Sequence, residues 1–465
     1  MLPVRAADGV ARGARRDPLA VALWAATLIW VIGMATLFPL GNERLDAISV
    51  FTFDRIAFLI VAALLAMVVA RTPAMLRAWG GVEVAMAVYL LVVAASWTWT
   101  IPHKDLIDLK RDVNLLLTNF LMPYTAFLIA RHAGWSRWQV RTTISLLVLS
   151  IGAYLVVVGL IQGLIDWRFL VAEADQSVHR SRARGPFPNA IAYSAMLAVL
   201  VPAALVLYAD EQRRSRRVVL AVLCVGLIEA LVLSQVRIVW LALPAALFYL
   251  AATHAPARRP ALVVGVGVLA AVMLAWLGVD LGALAGPEGA AAQRSVAERL
   301  AEAGPAYNRI AVWATGLNMV VHRPLFGFGF GARTFLDARQ DYYTSCCGVD
   351  WRWAVECHVP HNELLNVLIL LGAVGLLVYL GLLRELWRLL SSGRSASADS
   401  FLVALAAGVQ ATFLLLVLVG QLHDVMYFAA VQVVFFFLAG CAGAGHRDGH
   451  IAGHLHPALA APPVR

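Results

Sequence analysis

Arg180, Arg182 and Arg184 occupy alternate positions in HRSRARGPFPNAIAY, directly ahead of an apolar run. Such a group suits an anion. Each guanidinium presents a planar fork of donors that matches phosphate oxygens, and a helix N-terminus behind it adds partial positive charge. Gly185, Pro186 and Pro188 fix how the chain approaches that helix. The plainer reading is a solvated loop that touches lipid headgroups loosely. A second cation, Arg237 in LVLSQVRIVWLAL, has almost no aqueous loop around it. Arginine at the edge of hydrocarbon is costly unless it snorkels or is paired, so it marks a functional candidate. The third group is His361 in CHVPHNELLNVLILLGAVG, at the threshold of a long apolar helix. The positive end of a helix disfavours an imidazolium, which leaves a neutral ring able to act as base or hydrogen-bond acceptor. Asn362 and Glu363 either orient that ring or cap the helix. By itself a histidine there is more often a capping or interface residue; arginines on the same membrane face change the weighting.

These residues need a scaffold, and composition restricts it. The chain has 465 residues, 61% of them hydrophobic and only 14% charged, with a mean hydropathy of +0.77. Its apolar residues come in runs long enough to cross a bilayer, which excludes a soluble globule. The reading is all-α: a polytopic membrane protein with about 12 transmembrane helices. Residues 1–18 form a basic leading segment, 19–281 hold spans one to nine, and 282–360 form a long loop. Residues 361–441 hold spans ten to twelve, and 442–465 form a tail rich in His, Ala, Gly and Pro that reads as disordered. An even number of spans puts both termini on one side. Arg131, Arg137, Arg141, the quartet Arg213, Arg214, Arg216 and Arg217, and Arg384, Arg388 and Arg394 all fall on that side, which makes it cytoplasmic. The net charge of +9 therefore reports topology, and basic residues scattered between spans argue against nucleic acid as a partner.

The long loop then faces outward, between spans nine and ten. Asn308 to His322 reads as a helix, ended by Pro324. Cys346, Cys347 and Cys357 lie in an oxidising setting, where Cys357 can bond one of the adjacent pair or all three stay free. Cys224 and Cys441, inside or at the end of spans, read as reduced packing residues. Cys357, His358 and His361 lack the spacing of a zinc site, so no metal is expected. Gly327, Gly329 and Gly331 in FGFGFGARTF have no βαβ unit around them, and close backbone packing explains them better than a dinucleotide. Gln421, His423 and Asp424 mark a turn between the last two spans and could line the same cavity as His361. Glu229, an acid within span seven, is expected to be satisfied by a neighbouring helix.

In order along the chain, RARGPFPNA at 182–190, SQVR at 234–237, NRIAVWATGLNMVVHRPLFGFGFG at 308–331 and HNELLNVLILLGAVGLL at 361–377 resemble the O-antigen ligase and polymerase superfamily. The resemblance covers the span order and, in detail, roughly the second half of the chain. It implies a GT-C-like helical fold in the bacterial inner membrane and no cofactor, metal or nucleotide. It also implies a donor glycan on undecaprenyl diphosphate and an acceptor that is lipid A core or another glycan. Carried onto this sequence, Arg182, Arg184 and Arg237 bind the diphosphate and His361 is catalytic, with Asn362, Glu363 and Arg309 in support. Arg309 and Trp313 fit the frame of the loop helix. Where the family commonly has SRG, this chain has VRI. The motifs do not separate a ligase from a polymerase. A secondary transporter is the reading from another class, but such carriers show two repeated halves, and the large insertion after span nine breaks that symmetry.

Overall fold

In hydrocarbon, backbone amides and carbonyls must find partners within the protein, which only helices and closed barrels allow across a bilayer. The computed structural model describes residues 18–37, 52–72, 79–170, 182–276, 304–343, 355, 359–397 and 399–444. Every regular element among them is helical. In chain order these are α1 (Pro18–Thr36), α2 (Phe53–Arg71), α3 (Gly81–Thr98), α4 (Leu106–Leu116), α5 (Met122–His132), α6 (Arg137–Leu164), α7 (Ala190–Asp210) and α8 (Arg214–Ser234). Then follow α9 (Arg237–Thr253), α10 (Arg258–Trp276), α11 (Gly304–His322), α12 (Thr334–Ala338), α13 (Glu363–Ala396), α14 (Ser400–Gly420) and α15 (Ala429–Ala444). A π-helical turn, Leu117–Leu121, joins α4 to α5 into one span. Ten helices are long and apolar enough to cross a membrane, and α9 and α15 are shorter apolar helices. Together they correspond to the twelve expected spans.

The centre of the bundle is α7. Its residues are apolar all round, and it is buried along most of its length, as such a helix must be. It packs on α8 and α14, while α13 packs on α14 and α3, α15 on α5, and α11 lies against α13. Ion pairs tie one end of the bundle. Arg131 Nε lies 2.6 Å from Glu83 Oε1, Arg137 Nε 2.8 Å from Asp399 Oδ2 and Arg141 Nη2 3.1 Å from Asp210 Oδ2. The candidate residues Arg182, Arg237, Arg309 and His361 all lie at helix starts or loops of the opposite end.

Several elements differ from expectation. The loop helix α11 begins at Gly304 rather than Asn308, because Pro305 is tolerated in a first turn, whose amides have no intrahelical partner. Span ten continues past its apolar run to Ala396. Leu386, Leu389 and Leu390 keep an apolar stripe buried there, while Arg384 and Arg388 face out. Span twelve begins at Ala429, after a turn that contains Asp424. Glu229 is not packed into a neighbour but exposed, beside an apolar groove of about 610 Å³ between α7, α8 and α10. Cys224 and Cys441 are buried free thiols. Arg180, His358, Cys346, Cys347, Cys357 and the tail from residue 445 lie outside the described residues.

The glycine segment explains a break in α13. Gly372 has φ +63° and ψ −166°, a conformation no helix contains. The amides of Ala373 and Val374 donate to the carbonyls of Pro324 and Leu325 at 2.8 and 3.2 Å, and those of Phe328 and Gly329 donate to Ile369 and Leu370 at 2.9 and 2.8 Å. The loop thus satisfies the backbone groups the break frees, as irregular structure at membrane depth requires. Gly327 sits at φ +66°, where a Cβ would lie 2.6 Å from the Ile369 carbonyl oxygen. Gly327→Val should therefore cost about 3 kcal/mol, from a positive φ and a backbone clash together. Gly267→Ala, with nothing within 4 Å of its added Cβ, should leave the thermal midpoint in detergent unchanged. Equal midpoints for the two variants would contradict the docking of the glycine segment on α13.

Candidate functional site

His361 is held from both sides. Asn362 is the N-cap of α13, its side chain accepting from the Leu365 amide at 2.9 Å, and its Nδ2 donates to the Gln421 carbonyl at 3.0 Å. Capping is thus the role Asn362 fills, and it also anchors the turn after α14. Glu363 does the same one residue on: Tyr379 Oη donates to its carboxylate and the Met426 amide donates to it at 3.3 Å. His361 itself takes a positive φ of 48°, and its amide donates to Asp424. Trp313 of α11 donates from Nε1 to the Pro360 carbonyl at 2.7 Å, which fixes the residue just before His361.

The turn so anchored carries His423 and Asp424, both buried. The His423 and His361 rings meet edge to face with centroids 5.5 Å apart. Arg309 Nη2 donates to His423 Nε2 at 3.3 Å. Burial, then the charges of Arg309, His361 and Arg182, push His423 down to about 2, so it is neutral. Burial and the neighbouring Arg237 likewise lower Arg309 from its ordinary value. Arg182, Arg237, Arg309, His361 and His423 thus share one electrostatic neighbourhood, joined from a loop, the starts of α9 and α13, the second turn of α11 and the turn after α14. Arg309, read from sequence as part of the frame, belongs to the cluster itself.

Arg182 and Arg184 part company. Arg184 is buried, with Nη1 reaching the Pro188 carbonyl at 3.4 Å, whereas half-buried Arg182 acts on His423. Their segment hangs on Gln162, a buried residue in the last turns of α6. Gln162 Oε1 accepts from the Arg184 and Gly185 amides at 2.9 and 2.8 Å, and Nε2 donates to the Gly185 carbonyl at 2.9 Å. Gly185, at φ +57°, leaves room for the Tyr193 ring, which would lie 2.4 Å from a Cβ. Sequence reading passed over Gln162, although a polar residue within an apolar span is itself a signal. Arg237 opens α9 after a tight turn at Gln235, whose φ is +54°, and Ser194 Oγ donates to Ser234 Oγ at 2.7 Å to hold that turn on α7. Among the described residues no group of His, Cys, Asp or Glu side chains is arranged to hold a metal ion.

Residues 223–380 match the family model described as O-antigen ligase. Over this third of its length the chain is similar to the O-antigen ligase family. The matched O-antigen ligase segment runs from α8 to α13 and takes in Arg237, Arg309, the glycine segment and His361, while Arg182 and His423 join the cluster from outside it. No curated protein matches the chain.

The turn also sets a pH signature. Burial, then the charge of Glu363, raises Asp424 from 3.8 to about 7, even though the His361 amide favours its carboxylate. The folded chain keeps a proton that the unfolded chain releases, so this contribution to stability falls as pH rises from 3.8 to about 7. His423 does the reverse: neutral when folded, it loses stability as pH drops below its ordinary 6.5. From about pH 4 to 6.5 the two slopes oppose each other. Relative to wild type, Asp424→Asn should shift the slope of stability against pH upward in that window, and His423→Gln should shift it downward, each by up to ~1.4 kcal/mol per pH unit. Thermal unfolding in detergent across the window checks this; parallel profiles for both variants would contradict it.

Proposed function

We propose that this enzyme moves a glycan from undecaprenyl diphosphate to an acceptor hydroxyl, lipid A core being favoured, on the periplasmic face of the bacterial inner membrane. One observation carries the reading: Arg182 and Arg309 act electrostatically on His423 of the His361–His423 pair, and Arg237 acts on Arg309, at a single end of the bundle. Several guanidiniums in a partly water-poor site suit a diphosphate far better than a neutral substrate. The opposite end carries the ion-paired Arg131, Arg137 and Arg141, and an arginine-rich end is cytoplasmic by the usual bias. That supports a periplasmic site and cytoplasmic termini.

In the reaction, Arg182 and Arg237 hold the diphosphate, with Arg309 beside Arg237 adding to the field. Neutral His423 accepts a hydrogen bond from Arg309 and so aims it without adding charge. His361 takes the proton from the acceptor hydroxyl as that oxygen bonds the anomeric carbon from one side. The bond from this carbon to phosphate oxygen breaks on the other side, and its electron pair leaves with undecaprenyl diphosphate. The arginines stabilise the charge that develops there, and a single displacement inverts the carbon. Buried Arg184, together with Gln162, supports the Arg182 segment.

Purified protein incubated with an undecaprenyl diphosphate glycan, with and without lipid A core, should give the lipid A core conjugate by mass spectrometry. His361→Ala and Arg237→Ala should each lower that rate by ~10²–10⁴-fold while the protein stays in the membrane. Glycan lengthening without lipid A core would make the enzyme a polymerase. Full activity in both variants would overturn the site.

A further inference from the structure

A separate cleft of about 730 Å³ opens at the same end of the bundle, between the α3–α4 connection and the loop around the glycine segment. That volume falls within the range of small-molecule sites. Trp99, Phe326 and buried Phe328 line it. Trp99 is 45% exposed and Phe326 58% exposed, and they meet edge to face with centroids 6.4 Å apart. Trp99 is firmly placed, because Gly329 leaves room for its indole: a Cβ there would fall 2.8 Å from Nε1. The rest of the lining is polar and of both signs, with Lys104, Arg323, Asp108 and Asp337, and three of these charges are already neutralised: Lys104 by buried Asp112, Asp108 by Arg111 and Asp337 by Arg333. Thr334 lines the cleft as well, and its buried hydroxyl has no hydrogen-bond partner among the described residues.

This combination selects a ligand chemistry. An anion would want an excess of cations, and a lipid tail would want no carboxylates. A sugar presents C–H faces that rest on aromatic π faces, with hydroxyls at its rim that both donate and accept, so it suits rings next to a charge-balanced polar wall. The place also fits. Gly331, Ala332 and Phe335 form one wall of a smaller cavity of about 220 Å³ whose other wall includes Pro360 and Asp424. The cleft and the His361 cluster are therefore separated by little more than this loop. We propose that the cleft is a saccharide-binding subsite that holds sugar units of the glycan at a distance from the anomeric carbon being transferred. The role in transfer rests on the reading given above; saccharide binding itself does not.

The test uses full-length protein in nanodiscs and, as probe, the polysaccharide released by mild acid from its lipid carrier. Saturable binding of this lipid-free glycan is expected in wild type and in His361→Ala. Trp99→Ala should weaken it by roughly tenfold, and the surface variant Asp337→Asn, which should leave packing intact, by a smaller factor. In the transfer assay Trp99→Ala should raise KM more than it lowers kcat. A KM rise that grows with donor chain length assigns the bound sugars to the donor, and one that depends on the acceptor assigns them to the acceptor. Loss of glycan binding in Trp99→Ala with no transfer by wild type would keep the subsite and remove the glycosyl-transfer reading. Unchanged glycan binding in both Trp99→Ala and Asp337→Asn overturns the proposal. If Trp99→Ala then also lowers thermal stability, Trp99 is an anchor at the membrane interface.

Discussion

Like charges gathered in a poorly hydrated space repel one another, and this constraint governs the functional end of the protein. Arg237 presses on Arg309, and Arg182, Arg309 and His361 press on His423. A flexible scaffold would let such groups swing apart into water. Here each is fixed through its backbone: the Arg182 segment by Gln162, Arg237 by the Gln235 turn, and His361 by Asp424 and the Trp313 bond to Pro360. Keeping His423 neutral removes one repulsive partner while retaining its hydrogen bond to Arg309. On the proposed reading a bound diphosphate would relieve what repulsion remains, and the preorganised repulsion would favour a carrier with two phosphates.

The scaffold shows how a helical membrane protein can hold irregular backbone near its site. The break at Gly372 frees amides and carbonyls that the loop at 324–329 occupies at once. That loop is in turn pinned to α4, where buried Asp112 accepts from the Ala332 amide at 2.8 Å and from Trp97 Nε1 at 3.0 Å, while also pairing with Lys104. α13, the glycine segment and the α3–α4 connection thus behave as one body, and the aromatic cleft is built on it.

Most of the architecture was legible in the sequence, because hydrocarbon imposes so strong a pattern: each apolar run became a helix, and the arginines, His361 and the turn at His423 came to one end. What the sequence hid depends on contacts between distant segments. Nothing local announces that Arg309 touches His423, that Arg184 is buried while Arg182 is not, or that Gln162 carries the loop between α6 and α7. The extension of α13 was hidden for a different reason, since a helix can outrun its apolar stretch when one stripe stays buried. Glu229 shows the reverse failure. An acid in a span was expected to turn inward, but it lies on the outward stripe of α8 that also carries Val218, Val222 and Val225.

The most direct measurement is the affinity of the protein, in nanodiscs, for undecaprenyl diphosphate and undecaprenyl monophosphate without any glycan. If the clustered arginines are a diphosphate site, the diphosphate binds more tightly, Arg182→Ala and Arg237→Ala each erode that preference, and His361→Ala leaves it intact. Equal affinities for the two lipids, unchanged in the arginine variants, would contradict the account.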